Sequence, residues 1–177
     1  MTPSETSSER VLAVDPSLRG TGFAVLERSW PGKRLGALAW GVIRNAPSLS
    51  QSGCLVAIHE KITELIAQYS PRAAAFESVI FVQSYQTAIV LGCARGAALL
   101  ASAQHGLPIF EYPPKRVKQA VVGRGGAQKE QVAFMVRALL GLSETPAADA
   151  ADALAVGLAH FQAVDAARVG VKSMEAI

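Results

Sequence analysis

The chain has 177 residues, half of them hydrophobic and 18% charged, with a formal net charge of +3. That length suits one domain burying roughly two thirds of its unfolded surface, and the apolar share excludes an intrinsically disordered chain. No apolar run reaches the roughly 18 residues of a membrane span, so no membrane partner is expected. The polar opening MTPSETSSER lacks the apolar segment of a secretory signal, and residues 1–9 read as a disordered extension. Cys54 and Cys93 sit in apolar helical surroundings without ligand spacing. They read as reduced thiols of a cytoplasmic protein.

RVLAVD (residues 10–15) is a β-branched, apolar run ending in an acid. PSLRG turns the chain and TGFAVLE returns as a second strand. RLGALAWGVIR (34–44) extends the meander to a third. The stretch from Ser48 to Ser70 puts Leu55, Ile58, Ile62, Leu65 and Ile66 at helical spacing, an amphipathic helix ended by Pro71. AAAFE (73–77) is a short buried strand that again ends in an acid.

Residues 84–105 predict a long helix stopped by Gly106. Ile89, Val90, Leu91, Cys93, Leu99 and Leu100 make it apolar on more than one face, whereas packing on one sheet needs one stripe. The extra face is either a subunit interface or a surface wrapped by the rest of the chain. LPIFEY is a further strand, followed by two or three helices. This order predicts a single α/β domain, a mixed five-stranded sheet flanked by helices, with a C-terminal tail over 164–177.

Four acids stand out. Asp15 ends the first strand and Glu77 the fourth, and strand ends of α/β sheets are where sites form. AADAADALAVGL (147–158) carries Asp149 and Asp152 three apart in a run suited to burial, so both project from one helix face. Buried carboxylates need partners. If this helix crosses the strand ends, four like charges meet and repel by several kcal/mol unless protons or cations neutralise them. All-carboxylate ligation selects hard divalent cations, Mg²⁺ or Mn²⁺. Two of them would serve an in-line phosphoryl displacement. Taken singly, Asp15 is also a plausible Asp-Pro turn residue, and Asp149 and Asp152 are also favoured at a helix start by the macrodipole.

Residues 113–137 hold six Lys or Arg (Lys115, Arg116, Lys118, Arg124, Lys129, Arg137) and one Glu, Glu130, a local balance of +5. Such a stretch suits a polyanionic partner, or is a solvated helix face. GRGG (123–126) offers close backbone approach to a phosphate, or is a plain helix connection. His160 lies eleven residues from Asp149, roughly 16 Å up a helix. It reads as structural or solvent-exposed, as do His59 and His105.

VLAVDPSLRGTGFAVLE, AAFESVIFVQSYQTAIVLGCARGAAL, PIFEYPPKRVKQAVVGRGGAQKEQVAFMVRALL and ADAADALAVGLAH, in that order, closely resemble the bacterial RuvC-type Holliday-junction resolvases. The resemblance runs from about residue 10 to residue 162. It implies a ribonuclease H-like domain over 10–163 and a homodimer working with RuvA- and RuvB-type branch-migration proteins at the nucleoid. The implied activity is Mg²⁺-dependent nicking of two symmetric strands of a four-way DNA junction in recombination and repair, with 5′-phosphate and 3′-hydroxyl ends. By motif position, Asp15, Glu77, Asp149 and Asp152 match the family's metal-binding acids. Lys118 and Lys129 match basic residues near the scissile phosphate. Lys115, Arg116, Arg124 and Arg137 are further candidates for backbone contacts.

The chain departs from the family's pattern in places. Ser17 replaces the usual glycine after Asp-Pro. Ile80 and Ser84 stand where a stacking phenylalanine and an asparagine are usual, with Phe81 and Tyr85 beside them. Phe81 is then either an aromatic wedge in the junction or packed in the dimer or domain core. Three rival readings remain. One is a nuclease of the same fold cutting RNA–DNA hybrid or linear duplex, and another is a non-catalytic junction-binding protein. The third, a member of the sugar-kinase and actin superfamily, requires two such domains, and this length gives one.

Overall fold

The computed structural model describes residues 8–30, 34–80, 84–170 and 175–177. In chain order its elements are β1 (Ser8–Asp15), β2 (Gly20–Ser29), β3 (Arg34–Arg44), α1 (Gln51–Tyr69), β4 (Ala73–Glu77), α2 (Tyr85–Gln104), β5 (Ile109–Tyr112), α3 (Pro114–Val122), α4 (Lys129–Leu140) and α5 (Ala148–Arg168). They build one five-stranded sheet in the order β3-β2-β1-β4-β5. β1, β2 and β3 form the antiparallel meander, and β4 and β5 join β1 in parallel. The expected mixed α/β sheet is therefore present.

Side chains alternate across the strands with period two, and the two faces have separate cores. Val11, Ala13, Ala24, Leu26, Ala73 and Ala75 face α3, α4 and α5. Leu12, Val14, Val25, Ala74 and Phe76 face α1 and α2. Asp15 and Glu77 share the parity of Ala13 and Ala75, so both leave the sheet on the α5 side. Val14 pairs with Phe76 across the parallel β1–β4 ladder, which sets the next residue of each strand, an acid, side by side.

α1 starts where Ser50 accepts from the Gly53 amide at 3.1 Å. It ends at Ser70 in a left-handed conformation (φ 47°) ahead of Pro71, as the sequence indicates. The small residues of α5 let it lie directly on the sheet. A Cβ on Gly157 would come within 2.6 Å of Leu26 Cδ1, so the helix sits closer there than any larger residue permits. Its far end is tied by Arg28, which is 1% exposed. The Arg28 guanidinium donates to Glu9 and to Asp165, each at 2.7 Å, and lies 4.7 Å from the Phe161 ring centroid.

The structure moves three sequence expectations. β1 begins at Ser8, pairing Ser8 with Ser29 and Glu9 with Arg28. Residues 8 and 9 thus belong to the domain, while 1–7 lie outside the described residues. α5 continues to Arg168, past the expected boundary at 163, because its last turns carry the Asp165 contact to Arg28. Beyond it, the Ile177 amide donates to the Ile109 carbonyl on the edge strand β5. Finally, α2 is by length and composition apolar enough to cross a membrane. Counting uninterrupted apolar residues missed this because Arg95 and small polar residues break the run. Its buried stripe, Ala94, Ala98, Ala101 and Ser102, packs within the domain, and Arg95 forms an ion pair with Glu111.

Candidate active site

The turn after β1 is closed by a buried threonine. The Thr21 hydroxyl donates to the Ser17 carbonyl at 2.5 Å and accepts from the Ser17 amide at 3.1 Å. This fixes the strand end bearing Asp15, and Ser17 is accommodated without a glycine. One register step away, Gly22 pairs with Asp15. A Cβ on Gly22 would collide with the Asp149 carbonyl oxygen, and one on Gly20 would lie 3.1 Å from Asp149 Oδ2. The first turn of α5 therefore rests on bare backbone of β2 beside Asp15. Sequence reasoning gave these two glycines no role. The only signal was a small-residue Gly-Thr-Gly in an otherwise bulky strand.

Asp15, Glu77 and Asp152 line one cavity of about 250 Å³ together with Lys118 and Lys129. Val117, Val132 and Ala155 supply its apolar wall. Lys129, at the start of α4, donates to Asp152 at 3.3 Å. Asp149 does not line this cavity, but its charge acts on Asp15 from the first turn of α5.

Burial first, then the charges of Asp152, Glu77 and Asp149, push Asp15 up to about 7, against the opposing pull of Lys129. Glu77 is raised by burial and by Asp152, opposed by Lys118 and Lys129. Lys129 is raised in turn, chiefly by Asp152. The four expected acids thus form one mutually repelling group with two lysines beside it. Among the described residues, no three acids, histidines or cysteines stand close enough to grip one ion as placed; the carboxylates ring an open cavity. The donor set nonetheless fits a hard divalent cation. It is all oxygen, it is short of positive charge, and its most buried member holds its proton far above the ordinary carboxylate range.

The remaining expected residues divide. Lys115 and Arg116 lie on α3, and the Lys115 backbone packs against Gly125. Arg124 donates to Gln131 Oε1 at 3.1 Å, and that oxygen also accepts from the Gln128 amide, so Arg124 braces the start of α4. Gly123 is the left-handed end of α3 (φ 80°). It and the Gly125 contact follow from a tight helix connection. Arg137 is not brought to the cavity. Its guanidinium donates to the Leu142 and Ser143 carbonyls at 3.4 and 3.2 Å, in the loop that follows α4. Phe81 lies outside the described residues. Ile80 is 68% exposed, and with Val79 and Leu91 it lines a second hollow that reaches Asp15 and Glu77. Ser84 caps α2, accepting from the Thr87 amide.

Each of the three histidines has a hydrogen-bond partner within the fold. His160 shares a 2.9 Å hydrogen bond with the Tyr112 hydroxyl and is packed against Phe110 and Phe161. His59 bonds Gln104 and His105 bonds the Ala101 carbonyl.

A family model described as crossover junction endodeoxyribonuclease RuvC matches residues 11–160. The chain belongs to the RuvC family. It is 54% identical over 156 residues to the crossover junction endodeoxyribonuclease RuvC of Akkermansia muciniphila, covering 88% of this chain and 92% of that one. Against the Methylocella silvestris RuvC the identity is 43%, over 95% and 94% of the two chains. In three dimensions it matches Thermus thermophilus RuvC in complex with a Holliday junction substrate. The TM-score is 0.84 at 33% identity, over 96% of this chain and 99% of that one. The yeast mitochondrial Holliday junction resolvase shares the fold alone, with TM-score 0.60 at 11% identity. Membership of RuvC makes the chain an endodeoxyribonuclease of the crossover-junction class, whose catalysis depends on divalent metal.

Proposed function

We propose that this RuvC protein resolves four-way DNA junctions by paired, symmetric, metal-dependent nicks. The observation that carries the reading is the convergence of Asp15, Glu77 and Asp152 on one cavity with Lys118 and Lys129, and of Asp149 on Asp15. Asp15, Glu77, Asp149 and Asp152 would hold the divalent cations, two Mg²⁺ with Mn²⁺ as substitute. Bound there, the cations would activate the attacking water and stabilise the 3′-oxygen leaving group, giving 5′-phosphate and 3′-hydroxyl ends.

The chain's own residues do the positioning. The Lys118 and Lys129 ammonium groups are compact charges that draw the scissile phosphate over the acids, and Lys129 exchanges its Asp152 contact for that phosphate. Lys115, Arg116 and Arg124 extend the positive surface along α3 and its turn, fixing backbone register without reading sequence. Arg137, whose guanidinium bonds its own loop, stands apart from this group.

Two such sites must act on symmetric strands, which suits a homodimer. On α2, Tyr85, Ile89 and Leu100 are exposed, in line with Gly92 and Gly96, where an added Cβ would meet nothing within 4 Å. Exposed among the described residues, this stripe fits a second copy of the chain. RuvA- and RuvB-type proteins would hold and migrate the junction, in the cytoplasm at the nucleoid.

The test is cleavage of a synthetic four-way junction in Mg²⁺, beside linear duplex and RNA–DNA hybrid, followed by ligase. The expected result is paired nicks in the junction alone, sealed by ligase. Cutting of hybrid or linear duplex instead would overturn the substrate and leave the acids in place. Tight junction binding without cutting would overturn the activity.

A further inference from the structure

We propose that Phe134 is a stacking platform for a DNA base next to the scissile phosphate. The inference rests on the junction-cutting reading. The buried face of α4 is Val132, Val136 and Leu140. Phe134 points away from it and is 63% exposed. A single exposed aromatic is ordinary in itself; this one is set apart by what adjoins it.

The ring stands between two hollows. One, of about 440 Å³, is shared with Lys129, Ala133, Pro146 and Asp152, and so runs on from the catalytic acids. The other, of about 370 Å³, is shared with Val122, Gln131 and Met135. Both are of a size that admits a flat, drug-sized ligand. Among the described residues, no ring or guanidinium occupies the faces of Phe134. Ala133, one turn after Lys129, leaves the helix surface low between the lysine and the ring.

Spacing and charge identify the occupant. Five residues of helix separate Lys129 from Phe134, a rise of about 7.5 Å with a turn of about 140°, and the two side chains line the same hollow. A phosphate at Lys129 thus sets a neighbouring base at the ring. Glu130 lines both hollows. Its carboxylate repels phosphate and accepts hydrogen bonds from base amino groups, so the base enters and the backbone stays at the lysine. Stacking on an aromatic face accepts any base, which makes Phe134 a positioning residue whose contribution is sequence-tolerant.

The experiment compares Phe134→Trp, Phe134→Leu and Phe134→Ala with the unmodified protein. One readout is kcat/KM for junction cleavage. The other is 2-aminopurine fluorescence at each position within about two nucleotides of the cut, read in an Asp15→Asn background that holds the junction uncut. Trp is expected to retain activity and quenching. Leu, which keeps apolarity without a π face, and Ala are each expected to lose about tenfold in kcat/KM and to abolish quenching, with unchanged melting temperature. Unaltered kcat/KM and quenching in Phe134→Leu would overturn the proposal while leaving the nuclease reading intact. Weakened self-association with normal cleavage per dimer would also overturn it, making this face a contact between copies. If the unmodified protein cuts no junction, it is the functional reading that falls.

Discussion

His160 shows how one buried side chain can shape stability. It is 3% exposed, and burial, with Arg28 nearby, lowers its pKa to about 4 despite the opposing charge of Glu9. A histidine kept neutral in the folded chain costs nothing above the ordinary value of about 6.5. As pH falls through that value the unfolded chain takes up a proton that the folded chain refuses. Stability then drops by about 1.4 kcal/mol per pH unit, to a total of about 3 kcal/mol by pH ~4. The raised acids Asp15 and Glu77 act in the opposite sense, so the informative quantity is the difference between two curves. Denaturant melts of the wild type and His160→Gln between pH ~7 and ~4 should diverge by that slope. Parallel curves would show that His160 is not the proton-refusing group. Sequence reading gave this histidine no catalytic role, from its distance along the helix. Its Tyr112 partner lies on a strand 48 residues earlier and could not be paired by any local pattern.

Among the elements, α5 decides whether the site exists. It brings two acids to the ends of β1 and β4 only because β2 offers no side chain at Gly22 and its own small residues offer none against Leu26. Gly22→Ala must push the first turn of α5 away from Asp15. Overpacking of this kind costs about 1–3 kcal/mol of stability, and a misplacement of about 1 Å can cost about 100-fold in rate. The expected outcome is a folded protein, melting a few degrees lower, with junction cleavage down about 100-fold and junction binding retained. Near-normal cleavage would mean that the close approach at Gly22 does not set the site. This contact was the least legible part of the sequence, since it depends on how near a helix and a strand come, whereas β3 and β4 could be read to the residue from alternation and flanking turns. The place of Arg137 was hidden for a related reason. Composition counts its charge toward a basic surface, and only the coordinates show its guanidinium held by the loop after α4.

Over the whole molecule, the sheet order determines the chemistry. Joining β4 in parallel beside β1 sets Asp15 and Glu77 on neighbouring strand ends, and three helices on that face close the site with Asp149, Asp152, Lys118 and Lys129. The acids were legible because each ends or begins a run that buries its neighbours, and the motif resemblance assigned them together. The N-terminal boundary was not, since the pairing of Glu9 with Arg28 joins residues 19 apart through a charged contact that hydropathy cannot register. The opposite face carries the exposed stripe of α2 and leaves room for a second copy. The central claim is that four carboxylates from separate elements act as one cation site. The measurement that tests it most directly is Mn²⁺ binding by calorimetry on the protein alone and on Asp15→Asn, Glu77→Gln, Asp149→Asn and Asp152→Asn, with junction cleavage measured on the same samples. The account predicts that every variant weakens Mn²⁺ binding and lowers cleavage by about 100-fold or more, with folding retained. A variant that cuts and binds Mn²⁺ like the wild type would remove that acid from the site and contradict the claim.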